Sequence, residues 1–309
     1  MTHLRPTVLA GLLAGLLPCA GLAAYPLLLL DADTRGAARG GSGLADAQGL
    51  EAVHGNPAAL AALEGDVLSM LYVDHVQDLS VVGTQWATDR LAGWKLGLSA
   101  LRLDYGDLEG LDGDGDPTGS FSAGSTALKA SVARRLPDQA GGRLEAGLSA
   151  GWIQESIEDA TGSALLLDAG LSWRRGQLSL GLAARNLGTV LSDLGSSADK
   201  LPRSLEAGAA WRLAHLPFTW SLAWQSIQDR DPFLKLGGEF TVAGRWRLGL
   251  GYQVARGDDR LSGVSGEGTR GFTAGVGGRL PQGFELGWAW SSLGELGSLN
   301  HLSLTWRYR

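Results

Sequence analysis

The sequence predicts an all-β fold: a transmembrane antiparallel β-barrel of about 14 strands holding a small N-terminal hatch with short helices. Three observations carry this. From Asp66 to Arg309, apolar and polar residues alternate with period two in segment after segment. The chain opens on an export leader. Between leader and strands lies a glycine- and alanine-rich stretch with almost no β-branched residues and no alternation. The expected division is residues 1–24 as signal peptide, 25–65 as hatch and 66–309 as barrel.

In the leader, Arg5 gives a positive start and Thr7 to Leu17 form the apolar core. Gly21-Leu22-Ala23 and Leu22-Ala23-Ala24 are small-residue cleavage sites, so the mature chain is expected to begin at Ala24 or Tyr25. The apolar core is too short for a membrane anchor and is interrupted by Pro18, which favours removal. Pro18 directly before Cys19 does not suit a lipid-modification site, and removal of the leader leaves no cysteine for a disulfide. Tyr25 to Leu30 then read as an apolar mature N-terminus.

The hatch stretch runs from Arg35 to Leu63. Asn56 suits an N-cap, Pro57 the first helical turn, and Ala58 to Leu63 continue as good helix formers, with Gly65 as the stop. Gly36, Gly40, Gly41 and Gly43 allow close backbone approach. Arg35-Gly36-Ala37-Ala38-Arg39-Gly40-Gly41-Ser42, followed after a spacer by Asn56-Pro57-Ala58-Ala59-Leu60, resembles the N-terminal motif of the PorV/PorQ outer-membrane proteins. Pro117-Thr118-Gly119-Ser120-Phe121-Ser122 also looks like this family. These proteins are similar to the FadL hydrocarbon transporters, so the resemblance implies a hatch inside a barrel. It marks Arg35, Gly36, Arg39, Gly40, Gly41, Asn56, Pro57 and Ala58 as the hatch motif.

The strands follow in order. Leu144, Ala146, Leu148 and Trp152 alternate with Glu145, Gly147 and Ser149, and Leu165, Leu167, Leu171 and Trp173 with Asp168, Ser172 and Arg174. Further on, Phe218, Trp220, Leu222 and Trp224 share one face, with Thr219, Ser221, Ala223 and Gln225 on the other. The pattern recurs through Leu234–Val242, Trp246–Gln253, Phe284–Ser291 and Leu302–Tyr308. A phase slip near Ala100 and Leu101 suggests a bulge. Three features place the apolar face outside, in lipid: the leader, the small residues of the polar face, and tryptophans expected near strand ends (Trp94, Trp152, Trp173, Trp211, Trp246, Trp306). Short turns at 137–140, 174–177 and 280–283 read as periplasmic; 106–119, 188–202 and 257–269 read as long extracellular loops.

The chemistry is sparse. A net charge of −6 without a basic stripe excludes nucleic acid. Asp112, Asp114 and Asp116 imitate the start of a calcium loop, but Ala123 occupies the position of the closing glutamate, so no metal site is assigned. No catalytic motif stands out and no cofactor is expected; His54, His75, His215 and His301 are scattered. Alternation points Glu145, Asp168, Arg185, Glu206, Arg212, Lys235, Glu239, Arg247 and Glu285 into the lumen, with Lys95, Lys129 and Arg279. They read as a paired network bracing wall and hatch, or as a substrate path.

The expected location is the bacterial outer membrane, reached by export and the barrel-assembly machinery, with outer-membrane lipids as neighbours. Three functions stay open. The resemblance to FadL implies passage or binding of hydrophobic small molecules. The resemblance to PorV implies binding or shuttling of proteins secreted by the type IX system. A structural barrel without transport is the third.

Overall fold

The structure is a computed structural model that describes residues 25–48, 50, 53–75, 79–111, 116–195, 198–254 and 269–308. The expected signal peptide, Asp112 and Asp114 of the acidic loop, and most of the loop at 257–269 lie outside these residues. No helix among them is long and apolar enough to cross a membrane. The strands are β1 (Val67–Asp74), β2 (Ser80–Leu91), β3 (Trp94–Leu111), β4 (Pro117–Arg135), β5 (Arg143–Ile157), β6 (Ala160–Arg175), β7 (Leu178–Arg185), β8 (Thr189–Ser192), β9 (Ser204–Arg212), β10 (Phe218–Ile227), β11 (Phe233–Val242), β12 (Trp246–Gln253), β13 (Phe272–Arg279), β14 (Phe284–Ser292) and β15 (Ser298–Arg307).

All pairings are antiparallel, and β1 closes on β15 from Val67 opposite Arg307 to Asp74 opposite Asn300. β7 and β8 both pair with β6 and form one wall strand interrupted at Asn186, whose φ is +58°. Counted so, the wall is a closed barrel of 14 strands. Among the described residues, closure leaves no sheet edge except the outer side of the short β8, close to the condition for spanning lipid with strands.

The pleat sorts residues as the alternation requires. Leu148, Trp220, Leu222, Leu236 and Leu248 are exposed on the outer surface, and Leu250 is 68% exposed, while Glu145, Ser149, Ser221, Ala223 and Lys235 are buried inside. Such a continuous apolar girdle is unfavourable in water and suits a bilayer. Trp94, Trp173, Trp211, Trp246 and Trp306 stand at or near strand ends on the short-turn side, the side expected to face the periplasm; Trp152 instead lies well within β5.

Two expectations need correction. The pairing runs unbroken through Ala100 and Leu101, opposite Thr84 and Gly83, and the β3–β4 register shifts instead between Asp104 and Asp107. The apparent phase slip is a change of surroundings: Leu101, Leu103 and Tyr105 still point inward, but into an apolar cluster at the extracellular end with Tyr25, Leu27, Ile153 and Leu166. The long loops are also shorter than expected, because β3 and β4 continue as a paired arm over most of 106–119 and β8 occupies part of 188–202.

The N-terminal segment lies within the barrel. It contains α1 (Thr34–Ala38) and 3-10 turns at Pro26–Leu29, Gly43–Ala45 and Pro57–Ala62. α1 packs on β12–β15, Gly43–Ala45 on β7, β9 and β10, and Pro57–Ala62 on β3–β6, so the segment spans the lumen from wall to wall. Asp33 caps α1 by accepting from the Gly36 amide. Asn56 caps the last turn by accepting from the Ala58 amide, although that turn is 3-10 rather than α. Leu60 and Val53 form the periplasmic half of the interior with Leu63, Val67 and Ala133.

Candidate functional site

The site is the interface between this plug segment and the inner wall. Glycines on the inner face make the contact possible. A Cβ at Gly170 would overlap the Asn56 side-chain oxygen, one at Gly147 the Pro57 carbonyl, and one at Gly251 the backbone at Arg39. The plug backbone therefore lies directly on the sheet, and wall side chains reach its carbonyls. Gln85 donates to Ala32 at 2.9 Å, Thr273 to Ala38 at 3.1 Å, Arg174 to Ala47 at 2.8 Å and Arg185 to His54 at 3.2 Å. In return Asn56 donates to the Leu171 carbonyl and the Ser172 hydroxyl, both at 3.1 Å. Ser42 and Ser221 share a hydrogen bond at 2.6 Å, as do Thr34 and Ser303 at 2.7 Å. The pairings of Gln85, Thr273, Ser221 and Ser303 with the plug escaped the sequence reading, whose only trace of them is that inward positions carry Ser, Thr and Gln.

The two hatch arginines part company. Arg35 reaches the wall and gives Glu239 two hydrogen bonds, at 2.6 and 2.9 Å. Arg39, only 1% exposed, turns back to Asp46 of its own segment, at 2.9 and 2.7 Å. Gly40 and Gly41 adopt φ of +64° and +71° between them and the next turn, a conformation that glycine takes without strain. Ser99 meets the His54 ring nitrogen Nε2 at 2.7 Å. Burial first, then Lys129 and Arg185, lowers the His54 pKa to about 3, so the imidazole is neutral.

The inward charges assort into pairs. Lys129 meets Asp168 at 2.7 Å, and Asp168 also accepts from the Asn186 amide at the break in the wall. Arg185 and Lys235 both bind Glu206, at 2.8 and 3.1 Å. Arg174 lies 3.1 Å from Glu145, and Arg247 binds Glu285 and approaches Glu239 at 3.8 Å. Lys95 pairs with Asp89 at 3.5 Å near the periplasmic turn. Arg212 and Arg279 are exposed at the periplasmic mouth, and Arg279 reaches Glu285 only at 3.9 Å. Among the described residues no group of His, Cys, Asp and Glu is placed to hold a metal.

Below the plug, the mouth widens into a vestibule of about 350 Å³. Its acidic lining is Asp46, Glu239 and Glu285, all engaged by arginines. Arg212, Arg245 and Arg307 add charge beyond those pairs, and Arg279 a second guanidinium beside Glu285. Arg245 lies over the Trp246 ring, and Arg212 and Arg307 have no carboxylate partner among the described residues.

Residues 116–293, more than half of the chain, match the family of the type IX secretion system membrane protein PorP/SprF. The chain belongs to the PorP/SprF family. This family, not the PorV/PorQ group that the N-terminal motif resembles, is the one the match supports, and the plug precedes the matched residues. No curated protein matches the sequence. Among solved structures, this PorP/SprF member is similar to the toluene transporter TbuX of Ralstonia pickettii, with TM-score 0.63, 13% identity, and 89% of this chain and 98% of that one covered. The toluene transporter TodX of Pseudomonas putida gives 0.58 and 13%, covering 92% and 96%. A FadL homologue of Pseudomonas aeruginosa gives 0.55 and 12%, covering 90% and 98%. At such identities the likeness is one of fold. The fold and the family together make the chain an outer-membrane β-barrel.

Proposed function

We propose that this barrel serves type IX secretion as a plugged outer-membrane component, and that its periplasmic vestibule receives an acidic segment of a periplasmic partner. The observation that carries the reading is the arginine excess of the vestibule directly beneath the plug. Guanidinium groups without carboxylates are suited to carboxylates brought by another chain. Residues 25–65 act as a hatch that keeps the lumen closed, held by Arg35 on Glu239 and by the Asn56-Pro57 turn. The paired wall charges brace it.

A second reading is passage of hydrophobic small molecules, as the toluene transporters would suggest. The interrupted strand favours it: among the described residues β8 pairs with β6 alone, and across the gap to β9 the wall is bridged by Asn186 to Pro202 and Arg203 to Gly188, each at 3.1 Å. Reversing Arg212 and Arg307 to glutamate separates the two. The secretion reading expects type IX cargo export to fall while barrel folding and toluene uptake stay unchanged. Normal export together with reduced uptake would favour the transport reading instead.

A further inference from the structure

Glu155 differs from the other buried carboxylates of the wall. Glu145, Asp168, Glu206 and Glu239 each have a lysine or arginine partner. Glu155, 5% exposed near the extracellular end of β5, has no basic side chain paired with it among the described residues. Its contacts are the Tyr105 hydroxyl at 3.3 Å and the backbone nitrogen of Tyr25 at 3.0 Å. Asp193 and Asp199 add further negative charge around Tyr25. A buried carboxylate among other acids calls for a cation.

Tyr25 is unusual as well. It is 1% exposed, and its φ is +66°, in the left-handed region that an aromatic residue disfavours. That torsion exists only while Tyr25 is bonded to Ala24. The sequence alone leaves two cleavage positions open, before Ala24 or before Tyr25.

We propose that export cleavage falls between Ala24 and Tyr25, and that the α-ammonium group so released is the counter-ion of Glu155. The step is a hydrolysis by the membrane-bound signal peptidase of the export route. Water adds to the Ala24 carbonyl, the carbon–nitrogen bond breaks, Ala24 leaves as a carboxylate, and the Tyr25 nitrogen takes up protons. An α-amine with an ordinary pKa near about 8 is then cationic at neutral pH, more firmly so beside a carboxylate. Cleavage one residue earlier would carry the amine about 3.8 Å further along the chain, away from Glu155. The consequence is a latch made by processing: the extracellular end of the plug is locked only in the mature chain, so closure of the lumen follows export. This holds whichever reading of the barrel's function is right.

The test uses mature protein from outer membranes. N-terminal sequencing and intact mass should show Tyr25 as the first residue. In the folded protein, acetylation of that amine by an N-hydroxysuccinimide ester should run about tenfold slower than in the unfolded chain. Glu155→Gln should remove this protection, whereas Glu158→Gln, an exposed carboxylate just beyond the same strand, should leave it intact. A mature chain starting at Ala24 or elsewhere would overturn the proposal. So would a Tyr25 amine that labels equally fast folded and unfolded, a wild-type measurement that needs no variant to fold.

Discussion

Arg35 grips Glu239 through two parallel donors, a geometry that lysine cannot copy. Among the described residues, removing Arg35 leaves Glu239 with only Arg247 at 3.8 Å, so Arg35→Ala should weaken plug docking by about 1–3 kcal/mol. The readout is faster proteolysis of residues 35–63 and higher permeability to small hydrophobic solutes, with barrel assembly nearly intact. Arg39→Ala should loosen the plug internally through Asp46 without freeing it from the wall. Gly170→Val sets a side chain where the Asn56 oxygen lies and should cost about 1–3 kcal/mol, visible as a lower unfolding temperature. His54 supplies a pH dependence. Its folded pKa is depressed to about 3 from 6.5, so an undocked segment binds a proton that the docked one does not. Docking is therefore strongest above pH 6.5 and weakens as pH falls towards 3. Proteolysis of the plug in that window should increase on acidification, and His54→Gln should flatten the response.

At the scale of single strands, the pleat is the quantity under test. On β10, Leu222 faces lipid and Ser221 meets Ser42 of the plug. Leu222→Arg should cost about 2–4 kcal/mol of barrel stability, being near mid-membrane. Ser221→Arg should instead disturb plug packing while the barrel still assembles. Equal assembly defects in the two variants would mean that the strand's phase is misassigned. The arm formed by β3 and β4 shows how far a strand can run beyond the membrane once its outer face meets water: Arg102 and Asp104 point outward where Leu98 and Ala100 did so below.

At the scale of the whole molecule, the plug links nearly every part of the wall, since α1 and the turns at Gly43–Ala45 and Pro57–Ala62 together contact strands from β3 round to β15. Folding of barrel and plug should therefore be cooperative. Extracted protein is expected to run as a heat-modifiable band from the outer membrane, and recovery in the soluble periplasm of native cells would refute the barrel. The charge distribution is axial too. Arginines gather at the periplasmic mouth, while Glu158, Asp159, Asp193, Asp199 and Asp229 lie at the opposite end. That polarity gives the two ends different electrostatic character, even with Asp229 paired to Lys200.

The barrel was legible in the sequence because lipid imposes one rule on every strand: Leu222 out, Ser221 in, repeated at period two. The inward direction of Glu206, Glu239 and Lys235 followed from the same rule. Who meets whom did not, because pairing depends on barrel closure and on where the plug lies. Arg35 and Arg39 look equivalent along the chain, yet Arg35 binds Glu239 across 204 residues and only approaches Asp46 at 3.5 Å, whereas Arg39 binds Asp46 of its own segment. Ala100 and Leu101 misled for a related reason: alternation records the chemistry of each face, and at the extracellular end the interior turns apolar while the pleat continues unbroken. Local pattern thus determined strand, face and the capped turn at Asn56, whereas the tertiary structure decided every partner, since those contacts are set by closure over long sequence separations.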